Sequence, residues 1–324
     1  MAVFTEVAGA DVALLTERLG AGRLLAMQGI PAGIENSNFF VTTDRGEWVL
    51  TLFERLTAAQ LPYYLRLMQH LAQQGLPVPE PRADANGVLW QTVSGKPATL
   101  VNRLPGRHQN APDVHHCAQL GQVLARLHLA AADFSLHQPN LRGPQWWAAM
   151  APQVMPHLAP DEQALLRDEL AFQAKVEASA AFQGLPRAAV HADLFRDNAL
   201  FDGLPGHERL TGVFDFYFAG DDCLAYDLAV CLNDWCLAGD EAGLDESRAQ
   251  ALVQAYEQER PLTADEHKLL PAMMRRAALR FWVSRLGDWY LPRSAHLLHP
   301  KDPRHFERVL RQREKQPWHA LPAR

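Results

Sequence analysis

The sequence predicts an α+β chain of two lobes. A five-stranded antiparallel sheet lobe with one main helix is expected over residues 1–104, and a mainly helical lobe over residues 105–324. Three observations predict this division. Apolar residues in the first hundred positions fall in short strand-like runs between turn-forming clusters. From Asp113 onward they recur at helical spacing instead. Pro105-Gly106 breaks the chain between the two regimes.

Val12 to Leu19 has helical apolar spacing and opens the first lobe. Leu24 to Gln28, Ser37 to Thr43 and Glu47 to Phe53 read as strands, the last two joined by the turn residues Asp44-Arg45-Gly46. From Ala58 to Gln74, Leu61, Tyr64, Leu65, Met68 and Leu71 share one helical face, and Gly75 ends it. The stiff segment Pro77-Val78-Pro79-Glu80-Pro81 leads to two more expected strands, Val88 to Thr92 and Ala98 to Leu104. In the second lobe Asp113 is the expected N-cap of a helix carrying Leu120, Val123, Leu124 and Leu127. Further helices are expected over Asp161 to Ala180, Asp227 to Ala238, Glu246 to Gln258, Ala264 to Tyr290 and Arg304 to Lys315. Strand, loop and strand lie between the first and second of these.

Composition narrows the function classes. An apolar fraction of 48% with 21% charged residues is that of an ordinary globular chain. A net charge of −6, with no basic run in the first half, disfavours a nucleic-acid partner. The basic stretch Arg304 to Lys315 is spaced as an amphipathic helix rather than a binding arm. Cys117, Cys223, Cys231 and Cys236 show no C-x-x-C spacing, and His115-His116-Cys117 has no second ligand pair at zinc-site spacing. With no basic leader and no apolar run of membrane-spanning length, no membrane partner is expected, and a reducing cytoplasm is the expected location. Composition leaves the oligomeric state open.

The most informative stretch is His191-Ala192-Asp193-Leu194-Phe195-Arg196-Asp197-Asn198, followed by Val213-Phe214-Asp215-Phe216. It sets two carboxylates and a carboxamide in a fixed order. Phosphoryl transfer needs one Asp to receive or orient the hydroxyl proton. An Asn five residues later and an Asp on the next strand then hold magnesium against the nucleotide phosphates. Asp193 is therefore the candidate catalytic residue, Asn198 and Asp215 are the candidate metal ligands, and ATP with Mg2+ are the implied cofactors. The kinase signature H-R-D-L-x-x-x-N is met at every fixed position but the second, where Ala192 replaces Arg. That Arg pairs with a phosphorylated loop in regulated kinases, so its loss argues against such a switch. Asp-Phe-Tyr replaces Asp-Phe-Gly but keeps the metal-binding Asp. Both departures point to a kinase of small molecules.

Asp193, with a reference pKa of about 4, is expected to align the hydroxyl more than to act as a strong base. His191 is expected to brace the loop, and Asp227 to cap a helix and support the loop through backbone N–H groups. Gly33-Ile34-Glu35-Asn36-Ser37-Asn38 lies where a nucleotide-covering loop would sit, with Ser37 and Asn38 as short phosphate donors. Thr51 stands where a kinase fold offers a Lys, and the helix from Ala58 to Gln74 has no Glu, so the usual ion pair is absent as a unit. Lys96 and Arg55 are both left as replacements for the missing cation. Val101 to Gly106, with Asn102, Arg103 and Leu104, is the expected hinge at the adenine edge. Asp221, Asp222 and Asp234 are acidic candidates for a substrate ammonium.

These residues resemble those of the aminoglycoside-phosphotransferase-like family, whose members have a protein-kinase-like fold. The likeness runs through Gly33 to Val41, Trp48 to Glu54, Gly75 to Pro79, Gly95 to Ala98, His191 to Asn198 and Val213 to Ala219. The blocks Tyr226 to Ala229 and Asn233 to Cys236 are most similar to members that phosphorylate the side-chain hydroxyl of L-homoserine, a step of threonine biosynthesis. In that subgroup Thr likewise follows Val-Leu at the place of Thr51. The resemblance implies L-homoserine as the small-molecule acceptor; by charge, acidic Asp234 and basic Arg196 are candidates to meet its ammonium and carboxylate. Two other readings stay open on the residues alone. One keeps the chemistry and changes the acceptor to choline, an aminoglycoside or methylthioribose, with Trp146, Trp147, Trp235 and Trp289 available for a choline cage. The other is a nucleotide-binding regulatory module without turnover.

Overall fold

The structure, a computed structural model, describes residues 5–31, 36–239, 242–291 and 300–321. The first hundred residues form helix α1 (Gly9–Arg18), strands β1 (Leu24–Gly29), β2 (Asn36–Thr43) and β3 (Gly46–Phe53), helix α2 (Leu61–Gln73), and strands β4 (Gln91–Val93) and β5 (Lys96–Asn102). The five strands pair antiparallel in the order β1-β2-β3-β5-β4. Strand alternation sends Phe39, Val41, Leu50 and Leu52 into a core with Val12 and Leu15 of α1. Asn38 and Phe40 take the opposite face of β2.

Several boundaries differ from those expected. The helix α2 begins at Leu61 rather than Ala58, because Pro62 sits in its first turn, where a missing N–H costs nothing. Strands β4 and β5 also lie elsewhere than expected. Ser94 and Gly95, at φ 47° and 76°, make a two-residue hairpin turn that fixes Val93 opposite Lys96. The strand β5 then ends at Asn102, whose side-chain oxygen accepts the Glu80 N–H at 2.6 Å.

The remaining elements are α3 (Val114–Ala130), α4 (Pro144–Val154), α5 (Pro160–Glu177), α6 (Ala180–Gln183), β6 (Arg187–Val190), β7 (Ala199–Asp202), β8 (Arg209–Val213), β9 (Gly220–Cys223), α7 (Leu224–Trp235), α8 (Glu246–Glu259), α9 (Ala264–Tyr290) and α10 (Arg304–Lys315). The Asp113 carboxylate caps α3 by accepting the His116 N–H at 3.0 Å. The helix α4 was not foreseen; Pro152 interrupts its periodicity. The helix α7 starts three residues before Asp227, so Asp227 is not its cap. It is apolar nearly all round and almost wholly buried, as such a helix must be. The four thiols are buried, and none forms a disulfide. Among the described residues no helix is long and apolar enough to cross a membrane.

Contacts divide the chain into two compact units. One holds the chain up to Pro105 together with Gly212–Phe214; the other holds Gly106–Thr211 and most of the chain from Asp215 onward. In the second unit α3 and α8 come so close that a Cβ on Gly121 would lie 2.0 Å from the Leu252 carbonyl oxygen. Gly121→Ala is therefore expected to cost about 1–3 kcal/mol through forced separation of the two helices. Urea unfolding checks this, and a midpoint equal to wild type would contradict it.

Candidate active site

The loop His191–Asn198 is held by one face of α7. Asp227, Cys231, Asp234 and Trp235 share that face at helical spacing. Asp227 accepts the N–H groups of His191 at 2.9 Å and Ala192 at 2.8 Å, one on each carboxylate oxygen. Two successive N–H groups reach a single carboxylate because Ala192 adopts left-handed backbone, φ 63°, a strained state for a residue with a Cβ. Trp235 Nε1 donates to the Leu194 carbonyl at 3.0 Å, and Cys231 Sγ donates to it at 3.6 Å. Asp234 takes the Arg196 backbone N–H at 2.8 Å and its guanidinium at 3.1 Å.

Behind this face His128 reaches Asp227 with Nε2 at 3.1 Å and Tyr256 with Nδ1 at 2.7 Å. Burial works to raise the Asp227 carboxyl. The hydrogen bond and charge of His128, the charge of His191 and the Ala192 N–H outweigh it and hold Asp227 below the ordinary carboxylate range. His191 is buried against Phe216 at 4.5 Å, and its Nδ1 accepts the Asp193 N–H at 3.3 Å.

Asp193 and Asn198 are in contact in the second unit, with Asp215 within electrostatic reach of Asp193. The Asn198 Nδ2 donates to the Asp193 carbonyl at 2.8 Å and to its carboxylate at 3.3 Å. That leaves the amide oxygen of Asn198 turned away, as a hard donor suited to magnesium. Asp215, also left-handed at φ 65°, lies near enough for its charge to act on Asp193. The donor set therefore fits a magnesium ion shared with phosphate oxygens. Among the described residues no cluster of three His, Cys, Asp or Glu forms an all-protein metal cage.

Asp193 departs from the weak base expected of it. Its side chain keeps 16% of its surface exposed at the mouth of the site and is enclosed elsewhere. Burial pushes its carboxyl up to about 7; Arg280 opposes the rise, while Asp215 and Asp197 add to it. An acid of that strength can accept a hydroxyl proton near neutral pH.

In the first unit, Ser37 and Asn38 lie on β2. Ser37 Oγ donates to Glu54 at 2.6 Å, and Thr51 Oγ1 donates to the Asn38 side chain at 2.7 Å. Gly33 to Glu35 of the expected nucleotide-covering loop fall outside the described residues. Glu54 also holds the Lys96 ammonium, so an ion pair is present from positions other than the usual strand and helix. Asn102 ends β5. Arg103 donates its N–H to the Glu47 carbonyl at 3.0 Å and lays its guanidinium 4.1 Å over Phe40. With Ala26, Met27 and Phe40 it lines a groove of about 500 Å³ on this face of the sheet. Leu104 follows, half-buried.

Some candidates are engaged elsewhere. Arg196 and Asp234 are paired with each other, so neither presents a free charge to an amino-acid substrate. Asp221 faces His137 at 2.9 Å, and Asp222 takes the Asn140 amide at 2.9 Å. Trp235 is fully buried against the loop, and Trp146 and Trp147 already face Arg142 and Arg276. The sequence reading missed Arg280, buried beside Asp193; its one signal was a lone Arg within the apolar run of α9.

A family model described as the phosphotransferase enzyme family matches residues 26–262. The chain belongs to that family. This phosphotransferase is 52% identical over 318 residues to a homoserine kinase of Polaromonas naphthalenivorans, covering 98% of this chain and 99% of that protein. It is 52% identical over 317 residues to a homoserine kinase of Burkholderia mallei, covering 97% and 96%. Its fold is shared with the solved amicoumacin kinase hAmiN, in complex with AMP-PNP, Ca2+ and Ami (TM-score 0.68, 16% identity, 95% and 93% coverage). It is likewise shared with spectinomycin phosphotransferase APH(9)-Ia, in complex with ADP and spectinomycin (TM-score 0.65, 12% identity, 94% of each chain). The family has a kinase-like fold, as the sequence predicts.

Because the folded Asp193 carboxyl titrates above its ordinary 3.8, protonation there favours the folded phosphotransferase. That contribution is complete below about pH 4 and is lost as pH rises through about 7. In metal-free protein the Asp193 carboxyl carbon should titrate near pH 7 by 13C NMR, and Arg280→Gln should move the midpoint upward. A midpoint near 4 would contradict this electrostatic picture.

Proposed function

We propose that this chain transfers the γ-phosphoryl group of ATP to the side-chain hydroxyl of L-homoserine, giving O-phospho-L-homoserine on the route to threonine. The contact of Asp193 with Asn198, with Asp215 in electrostatic reach, carries the chemistry. The acceptor rests on 52% identity, over nearly the whole chain, to proteins named homoserine kinase.

In this reading Asp193 orients the hydroxyl and takes its proton as the new O–P bond forms and the bond from the γ-phosphorus to ADP breaks. Asn198 and Asp215 would hold magnesium, which when bound offsets the charge on the phosphates. Lys96, steadied by Glu54, is our choice for the cation on those phosphates in place of a lysine on β3. Ser37 and Asn38 would serve the phosphates, and Asn102, Arg103 and Leu104 the adenine. Four buried thiols outside any disulfide suit a reducing cytoplasm. Choline fares worse as acceptor, since three of the four tryptophans that could cage it are occupied by arginines or by the loop.

Coupled ADP formation with homoserine, choline, an aminoglycoside and methylthioribose tests the assignment. Homoserine should be preferred, and Asp193→Asn should lower its turnover by about 10²–10⁴-fold while ATP affinity stays within a few fold. Equal use of all acceptors would remove homoserine; undiminished turnover in Asp193→Asn would remove the assigned role of that residue.

A further inference from the structure

The helix α9 carries two buried arginines one turn apart, Arg276 and Arg280, and the protein treats them differently. Arg276 has a carboxylate of its own, with Nη1 2.8 Å from Glu177, and leaves Nε alone unmatched. Arg313, the other buried arginine among the described residues, donates to the Asn233 side chain at 3.0 Å and to the Ala242 carbonyl at 3.3 Å, with Nη2 alone unmatched. Arg280 is 3% exposed and has only a loose approach to Asp193, Nη1 to Oδ1 at 3.7 Å. Its Nε and Nη2 are buried with no hydrogen-bond partner among the described residues.

Buried guanidinium N–H groups are seldom left unmatched, because water no longer satisfies them. The orphaned pair is also geometrically specific. Nε–H and Nη2–H form one edge of the planar group, two parallel donors spaced to fit the two oxygens of a carboxylate. The ring centroids of Phe281 and Phe218 lie 3.8 Å and 5.0 Å from the guanidinium carbon, aromatic contacts that steady the planar group. Tyr226, on α7, adds a second orphan, a buried hydroxyl without a hydrogen bond. Burial keeps that phenol protonated, and the Arg280 charge reaches it.

We infer that Arg280 binds the α-carboxylate of the amino-acid acceptor through its Nε–Nη2 edge, with Tyr226 Oη as an accessory donor. The inference rests on the homoserine reading and deepens it. One guanidinium then spans the acceptor: Nη1 lies beside the carboxylate that activates the hydroxyl, and the opposite edge holds the other end of a four-carbon amino acid. The site would thereby select alcohols bearing a carboxylate.

The test compares kcat/KM for L-homoserine with that for 3-amino-1-propanol, the same amino alcohol lacking its carboxylate. Wild type should prefer homoserine by about 100-fold or more. Arg280→Gln should bring that preference to within a few fold, chiefly through a higher KM for homoserine. Arg280→Lys, which keeps the charge but not the fork, should fall between, and Tyr226→Phe should raise KM for homoserine alone. Unchanged ATP affinity and thermal melting of each variant establish that it is folded; should the Gln variant not fold, the Lys and Phe variants decide. An equal loss on both substrates, or an unchanged preference, would overturn the role of Arg280 while leaving the homoserine reading intact. Failure of the wild type to phosphorylate homoserine would sink that reading and this inference together.

Discussion

The active loop depends on one buried carboxylate. Asp227 gathers the N–H groups of His191 and Ala192 and is itself held by His128, which is tied in turn to Tyr256. Left unpaired, those buried N–H groups would cost about 1–3 kcal/mol each. The left-handed turn at Ala192 persists because Asp227 over-determines it. The strain sits immediately before Asp193, where it fixes the direction of the next side chain.

From that anchor the rest of the site follows as a consequence of helical geometry. Asp227, Cys231, Asp234 and Trp235 occupy one stripe of α7, and each meets the loop at a different point. An amphipathic helix usually spends its stripe on apolar packing. Here polar atoms are interspersed in an otherwise buried helix, and every one of these four reaches the loop. Arg196 and Asp234 belong to this scaffold, where they pair with each other. The enclosure that results also raises Asp193 into the range of a useful base.

Much of this was legible in the sequence, for identifiable reasons. The order Asp193, Asn198, Asp215 is a chemical requirement, so it survives as a string. Strand alternation and the stripe on α2 announced the sheet unit. What escaped depends on contacts between distant positions. A helix start at Leu224 rather than Asp227 cannot be seen when the preceding residues are themselves apolar. The Ser94-Gly95 turn sets the register of β4 and β5, and the apolar runs around it do not mark where those strands begin and end. The Lys96–Glu54 pair joins positions 42 apart, and Arg280 joins Asp193 from 87 residues away; neither spacing carries a signal. The pKa of Asp193 depends on enclosure, which no motif records.

Asp227 positions Asp193 without touching the reacting atoms. Steady-state kinetics of Asp227→Asn test it most directly, since that change keeps the shape while giving one loop N–H a donor to face. A fall in kcat of about 100-fold is expected, the scale of a small misplacement of a catalytic group, with KM for ATP changed little. A folded Asp227→Asn variant with kcat within about 3-fold of wild type, well short of that scale, would contradict it.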